Sequence, residues 1–291
     1  MRTSLPTIGD ALYQSSRQLL DAGIDSGSLE ASLLLGRATG FDRLGLITRT
    51  GEALTEAHWE AFQALLDRRL KREPLQYILG ETEFMGLRFA VDPAVLIPRS
   101  DTEILIEVIL DMEEERGEPA PVTVADIGTG SGAIAVVLAQ FLPYMRVVAV
   151  DLSAAALEVA KANAAAHEVL DRIDFRLGDG LGALDEPVDY LLSNPPYIEA
   201  AEVETLQPEV RDFEPRMALT PGADALHWYR AFAVDGARYV KPGGVLAVEV
   251  GAGQAEAVVA LLEEAGHWEA LAVHPDLGRI DRVVVARRKA G

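Results

Sequence analysis

The run from Val122 to Asp151 restricts the folds open to this chain more than any other. Six strand-forming residues, Val122–Ile127, lead straight into Gly128-Thr129-Gly130-Ser131-Gly132, and a helical stretch, Ala133–Phe141, follows at once. A second apolar run, Val147–Asp151, ends on a carboxylate. Strand, glycine turn, helix and strand within about thirty residues describe a βαβ unit, whose parallel strands need a crossover helix. Glycines at such a turn let the backbone bend sharply and let a ligand approach the peptide groups.

The alternation continues downstream. Strands are expected at Asp174–Leu177, Val188–Leu192, Val245–Val250 and Val283–Ala286, with helical stretches at Ala154–Ala166, Ala223–Tyr239 and Gln254–Ala265. The fold class that follows is α/β: an open, twisted, mostly parallel sheet of Rossmann-like type with helices on both faces. Residues 1–75 differ. Ile8, Leu12, Leu19 and Leu20, then Leu29, Leu33 and Leu34, then Trp59, Phe62, Leu65, Leu66 and Leu70 recur at helical spacing. Thr7 and Ser28 are the expected helix caps. Between Leu75 and Arg99 lies β-prone material broken by glycine: QYILG, EFMGLRFAV and VLIPR. The expected division is an all-helical N-terminal domain over 1–75, a β-hairpin linker over 76–98 and a catalytic domain over 99–291. The acidic run Glu113–Glu115 reads as a solvated helix end.

Charge narrows the function. The 291 residues hold 26 Lys and Arg against 46 Asp and Glu, a formal net charge of −20. Through residue 75 the count is nine basic to ten acidic, so the acidity belongs almost wholly to the α/β region. Such a field repels phosphate backbones, and no direct nucleic-acid partner is expected. No apolar run approaches the roughly 18 residues of a membrane span. The N-terminus has neither a signal peptide's basic start nor its apolar stretch, so a cytoplasmic location is expected. With no Cys and five scattered His, no thiol chemistry and no metal site are expected.

The glycine loop and Asp151 together suggest a nucleotide-type cofactor, since a carboxylate ending the second strand reaches ribose hydroxyls. The spacing is G-x-G-x-G, where a dinucleotide pyrophosphate expects G-x-G-x-x-G. S-adenosylmethionine has no phosphate; it carries a sulfonium cation that tolerates acids such as Asp126 along the loop. Asp179, in LGDG at the third strand's end, has the position to accept from the ribose or the adenine amino group. The fourth strand ends in Asn194-Pro195-Pro196-Tyr197, outside the carboxyl ends of the strands where ligands sit. Two prolines remove two N–H donors and leave carbonyls to accept. With the Asn194 oxygen and the flat face of Tyr197, this corner suits a planar –NH2 group held by both hydrogens.

D-I-G-T-G-S-G followed by S-N-P-P-Y resembles the amino-methyltransferases that use S-adenosylmethionine. Within them the chain is most similar to the HemK/PrmC family, which methylates the glutamine amide of the GGQ motif in class 1 peptide-chain release factors. The stretches Arg72-Glu73-Pro74-Leu75-Gln76-Tyr77-Ile78-Leu79-Gly80, Leu96-Ile97-Pro98-Arg99-Ser100-Asp101-Thr102-Glu103 and Pro208–Arg216 support the narrower likeness. The resemblance implies a methyltransferase fold and, as product, S-adenosyl-L-homocysteine. It implies cofactor contacts from Gly128, Thr129, Gly130, Ser131, Gly132, Asp151, Leu152, Asp179, Gly180 and Asn194. Asn194, Pro195 and Tyr197 would be catalytic and, with Pro196, would form the substrate slot; Arg99, Thr102 and Glu103 would stand at its rim. The helical domain would hold the release factor, and the enzyme would be a monomer. Two positions depart from the family's pattern: Ser100 stands where proline is frequent, and Gly180 where relatives place a large aromatic. A DNA adenine methylase would share the catalytic corner, but it needs a basic groove and a way to flip the base. A catalytically inactive release-factor-binding module would need neither Asn194 nor the glycine loop, and a nicotinamide oxidoreductase fits the glycine spacing poorly.

Overall fold

A computed structural model describes residues 5–117 and 119–290. The chain divides into two compact units: one runs through Gly80 and takes in Gln207–Phe213, and the other comprises Glu81–Leu206 and Glu214–Gly291.

The first unit is helical, with α1 (Ile8–Asp21), α2 (Gly27–Thr39), α3 (Arg43–Thr48), α4 (Glu56–Leu70) and α5 (Leu75–Leu79). Leu19, Leu34, Leu35, Phe62 and Leu66 make its core. Thr7 caps α1 in a reciprocal box: its hydroxyl accepts from the Asp10 N–H, and Asp10 accepts from the Thr7 N–H. The second cap expectation is corrected. α2 begins at Gly27, so Ser28 lies inside the helix, and Ser26 at the N-cap donates to Glu30 at 2.7 Å. QYILG also departs from expectation. Leu75–Leu79 is a turn of helix because Pro74 presets its start and Gly80, at φ 79°, ends it in the left-handed region. The unit holds one buried ionic cluster. Arg69 pairs with Glu30 at 2.5 Å and Glu209 at 2.9 Å, and Arg72 donates to Glu209 at 2.8 Å.

The second unit opens with a hairpin, β1 (Glu81–Phe84) and β2 (Leu87–Ala90), then α6 (Ser100–Arg116). Next come β3 (Val122–Ile127), α7 (Ala133–Phe141), β4 (Met145–Asp151), α8 (Ala154–Ala166), β5 (Ile173–Leu177) and β6 (Val188–Ser193). The short helices α9 (Ala200–Val203), α10 (Pro208–Phe213, part of the helical unit) and α11 (Arg216–Leu219) follow. The chain closes with α12 (His227–Tyr239), β7 (Val240–Glu249), α13 (Ala255–Ala265), β8 (Trp268–Pro275) and β9 (Asp281–Arg288). The seven-stranded sheet has the order β5-β4-β3-β6-β7-β9-β8, with β3 to β7 parallel and β9 antiparallel to both its neighbours.

Strand alternation sorts the core into two layers. Val124, Tyr190, Leu192, Val245 and Val283 face the helices α6 and α7. Ala125, Leu191, Leu246 and Val284 face α12 and α13. Burial on both faces explains the near-continuous apolar strands read from the sequence. β8 was not anticipated, because this edge strand is mostly exposed and carries no regular apolar alternation. The reading of Glu113 as solvated is also corrected. The residue is 5% exposed, and its carboxylate accepts from the Tyr190 hydroxyl at 2.5 Å and pairs with Arg116.

Candidate active site

The carboxyl ends of β3, β4, β5 and β6 converge on one cavity of about 350 Å³. Near the end of β3 stands fully buried Asp126, which accepts from the Thr129 hydroxyl at 2.6 Å and leaves its Oδ1 unpartnered. Burial pushes this carboxyl up to about 7. The loop then turns through Gly128, Gly130 and Gly132, all at positive φ. A Cβ at Gly132 would come within 3.0 Å of Ala160, whereas one at Gly128 would meet nothing within 4 Å. The last glycine thus serves helix packing and the first keeps the loop's face open.

Asp151 holds the loop in place. One carboxylate oxygen accepts from Gly130 N–H at 2.9 Å and the other from Ser153 N–H at 2.8 Å. Leu152, Asp179 and Gly180 line the cavity with Thr129 and Ser131. At Gly180 the absent side chain has a spatial counterpart. A Cβ there would lie 2.6 Å from Cζ3 of Trp228, which enters the same wall from α12 and stacks on Phe232. Sequence reading missed Trp228, because 48 residues separate it from Gly180 and an aromatic on an amphipathic helix carries no distinguishing signal.

The β6 end forms the opposite side. Ser193 donates to the Ile127 carbonyl at 2.7 Å and pins this strand end to the start of the glycine loop. Asn194 donates through its Nδ2 to Thr102 Oγ1 at 2.9 Å, and Thr102 donates to Glu249 Oε2 at 2.5 Å. Among the described residues nothing donates to Asn194 Oδ1 or to the Pro195 carbonyl, and both residues line the cavity with Pro196. The corner is therefore rich in acceptors. Glu249, at the end of β7, is 1% exposed, and burial pushes its carboxyl up to about 7 against the pull of the Thr102 hydrogen bond. It too was missed, although an acid closing the apolar run VLAVEV is a legible anomaly.

The structure does not bring every expected site residue to the cavity. Arg99 and Thr102 line it, and Arg99 pairs at 2.5 Å with Glu214, whose side chain is buried. Glu103 does not line it. Its carboxylate accepts from Met85 N–H at 2.8 Å, where the hairpin turns at φ 50°, and its work is to hold that turn. Tyr197 does not line it either. Its ring packs with the α12 and α13 core layer and its hydroxyl donates to Glu249 at 3.4 Å, so it braces the corner from behind.

The residues present fit S-adenosylmethionine. Its methionine part would lie along the open glycine loop, Asp151 and Asp179 would face its ribose and adenine side, and Trp228 would supply a flat wall. Among the described residues Arg99 is the lone arginine or lysine lining the cavity, and Glu214 already neutralises it, so a sulfonium meets no unpaired arginine or lysine among them.

The sequence matches the PrmC N-terminal domain family over residues 10–80 and the methyltransferase small domain family over 100–209. It is 43% identical to the release factor glutamine methyltransferase of Geobacter sulfurreducens, covering 97% of this chain and 96% of that one. It is 44% identical to the enzyme of the same name from Cereibacter sphaeroides, covering 97% and 98%. Among solved structures, the hMettl16 catalytic domain superposes with a TM-score of 0.57 at 15% identity, covering 78% of this chain and 82% of that one. A Pyrococcus furiosus methyltransferase does so with a TM-score of 0.51, also at 15% identity, covering 71% and 91%. Those two likenesses establish the fold, and the full-length identities establish more: the chain belongs to the release factor glutamine methyltransferase family and is an S-adenosylmethionine-dependent enzyme.

Proposed function

We propose that this protein methylates the side-chain amide nitrogen (N5) of the glutamine in the GGQ motif of class 1 peptide-chain release factors. The observation that carries the reading is the acceptor-rich corner: Asn194 turns its Nδ2 to Thr102 and keeps Oδ1 for a substrate, beside the carbonyl of Pro195. A carboxamide –NH2 has two hydrogens to give. Asn194 Oδ1 takes one and the Pro195 carbonyl the other, and Pro195 and Pro196 offer no competing N–H.

A carboxamide nitrogen is a poor nucleophile because its lone pair is delocalised into the carbonyl. Holding both hydrogens in fixed acceptors orients the nitrogen and draws electron density onto it, which lowers the barrier by positioning and electrostatics. S-adenosylmethionine supplies an electrophilic methyl group on a positively charged sulfur. Transfer would exchange the methyl's carbon–sulfur bond for a carbon–nitrogen bond, and the nitrogen would then give its extra proton to solvent, so the corner needs no strong base beforehand. Asp151 and the glycine loop hold the donor's side, and Ser193 keeps the two sides in register.

The helical unit holds the release factor in this reading. Leu29, Leu44 and Ile47 leave apolar side chains exposed on it, which suits a protein partner. The enzyme works as a cytoplasmic monomer without touching nucleic acid, in keeping with its net charge of −20. Among the described residues no helix is long and apolar enough to cross a membrane.

The test is direct. Incubation with labelled S-adenosylmethionine and a class 1 release factor, followed by peptide mass spectrometry, is expected to place one methyl group on the GGQ glutamine. Methylation elsewhere, or none, refutes the assignment. Asn194→Ala is expected to abolish transfer while the donor still binds in calorimetry; near-normal turnover would remove Asn194 from its role.

A further inference from the structure

An amide has two ends of almost equal size, and only one of them suits the role given to Asn194. Presenting Oδ1 accepts the substrate –NH2, whereas presenting Nδ2 sets donor against donor. Something must choose the face. Thr102, at the first turn of α6 and 5% exposed, has a single hydroxyl hydrogen, and that hydrogen goes to Glu249 Oε2 at 2.5 Å. The Thr102 oxygen is then left only to accept, and it accepts from Asn194 Nδ2 at 2.9 Å.

We infer that Glu249 and Thr102 are positioning residues: the Glu249 carboxylate sets the direction of the hydrogen-bond chain Asn194–Thr102–Glu249, and that direction turns Asn194 Oδ1 toward the substrate amide. The inference rests on the proposed glutamine methylation and deepens it.

The direction depends on charge at Glu249. An ionised carboxylate can only accept, so the chain must run toward it. A protonated Glu249 can donate to Thr102, which frees the Thr102 hydrogen for Asn194 and favours the amide turned the wrong way. The groups facing Glu249 come from three further elements and one loop. Asp101 on α6 disfavours its charge; Arg282 on β9 and the Tyr197 hydroxyl favour it. Tyr229 on α12 donates to the Glu249 backbone carbonyl at 3.0 Å and so fixes its main chain rather than its charge. Burial outweighs the favourable contacts and puts the carboxyl at about 7. The switch in direction therefore falls within the working range of pH, with activity lost as pH drops through that value.

The experiment measures turnover of a release factor between mildly acidic and mildly alkaline pH for the full-length enzyme and three variants, with donor affinity followed by calorimetry. Wild type is expected to lose kcat, not donor affinity, on the acid side of about pH 7. Thr102→Val cuts the chain and is expected to lower kcat about ten- to a hundredfold, as loss of a supporting hydrogen-bond partner commonly does. It should leave donor affinity within about twofold and flatten the acid limb. Thr102→Ser is expected to restore the wild-type profile. Glu249→Gln, which cannot ionise, is expected to lack the acid limb whatever its level of activity. An acid limb that persists in Glu249→Gln, or a Thr102→Val enzyme with normal kcat, overturns the inference. Should Thr102→Val fail to fold, Glu249→Gln decides alone. A wild-type enzyme that leaves release factor unmethylated would instead sink the function proposed above, so the two failures are distinct.

Discussion

Gly180 and Trp228 form a complementary pair in which one position must be empty for the other to be filled. Gly180 sits at φ 56°, a conformation that L side chains adopt with strain, and any Cβ would strike the Trp228 ring. The flat wall on this side of the cavity is thereby delivered from α12. Stacking a base on an aromatic ring contributes about 1–3 kcal/mol by alanine substitution. Trp228→Ala is therefore expected to weaken S-adenosylmethionine binding by roughly five- to a hundredfold with little change in kcat at saturation, read by calorimetry and steady-state kinetics. Unchanged affinity would show that the ring only packs on Phe232. The sequence names Gly180 as a departure, yet its partner lies 48 residues downstream, and no local pattern links the two. Asp151, in contrast, is legible from its place at a strand end, because the geometry of a βαβ turn brings that position to the loop.

At the scale of elements, the central parallel strands were readable because helices cover both their faces, which makes most of their residues apolar in both directions. The edge strand β8 has one neighbour and a wet surface, and its sequence shows neither constraint. Asn163 illustrates the converse, a polar residue in an alanine-rich helix that looks out of place. Buried in α8, it accepts from Ala90 N–H at 2.7 Å and donates to the Ala90 carbonyl at 3.0 Å and the Ser131 carbonyl at 2.9 Å. One side chain so completes the edge of the hairpin and braces the cofactor loop. Asn163→Ala strands one donor and two acceptors, and the expected cost is about 2–4 kcal/mol of stability. A lower urea midpoint together with weaker donor binding would confirm both ties, and a shift of a few tenths would mean that water replaces them.

The whole molecule has two cores and three chain passages between the units, at residues 80–81, 206–207 and 213–214. The return of Gln207–Phe213 to the helical unit was not legible from the sequence, because the tie is ionic and long-range: Glu209 meets Arg69 and Arg72 across some 140 positions. Removing Arg69 leaves the Glu30 and Glu209 carboxylates largely buried and poorly compensated, and breaking such a cluster costs about 3–5 kcal/mol. Arg69→Ala is expected to lower the unfolding transition seen by Trp59, the tryptophan of the helical unit, more than that seen by Trp228 and Trp268. A native-like Trp59 transition would show the cluster to be dispensable. The two units should also respond differently to pH. Arg72 and Arg69 outweigh burial and hold Glu209 below the usual carboxylate range, so its stabilisation is present above the unfolded value and fades only in strong acid. Asp126 and Glu249 are shifted the other way, each up to about 7 by burial. Their folded state binds protons that the unfolded chain has already released, so their stabilisation is complete below the unfolded carboxylate values and is lost as pH rises toward 7. The urea midpoint reported by Trp228 and Trp268 is therefore expected to fall between pH 5 and pH 7.5. Asp126→Asn should flatten part of that fall, since it keeps an acceptor for Thr129 and removes one of the protons in play, the others being on Glu249 and on Glu214, which burial also raises. A midpoint indifferent to pH across that interval would mean that none of these acids is held protonated by its burial, and a slope unchanged in Asp126→Asn would assign the effect to Glu249 and Glu214.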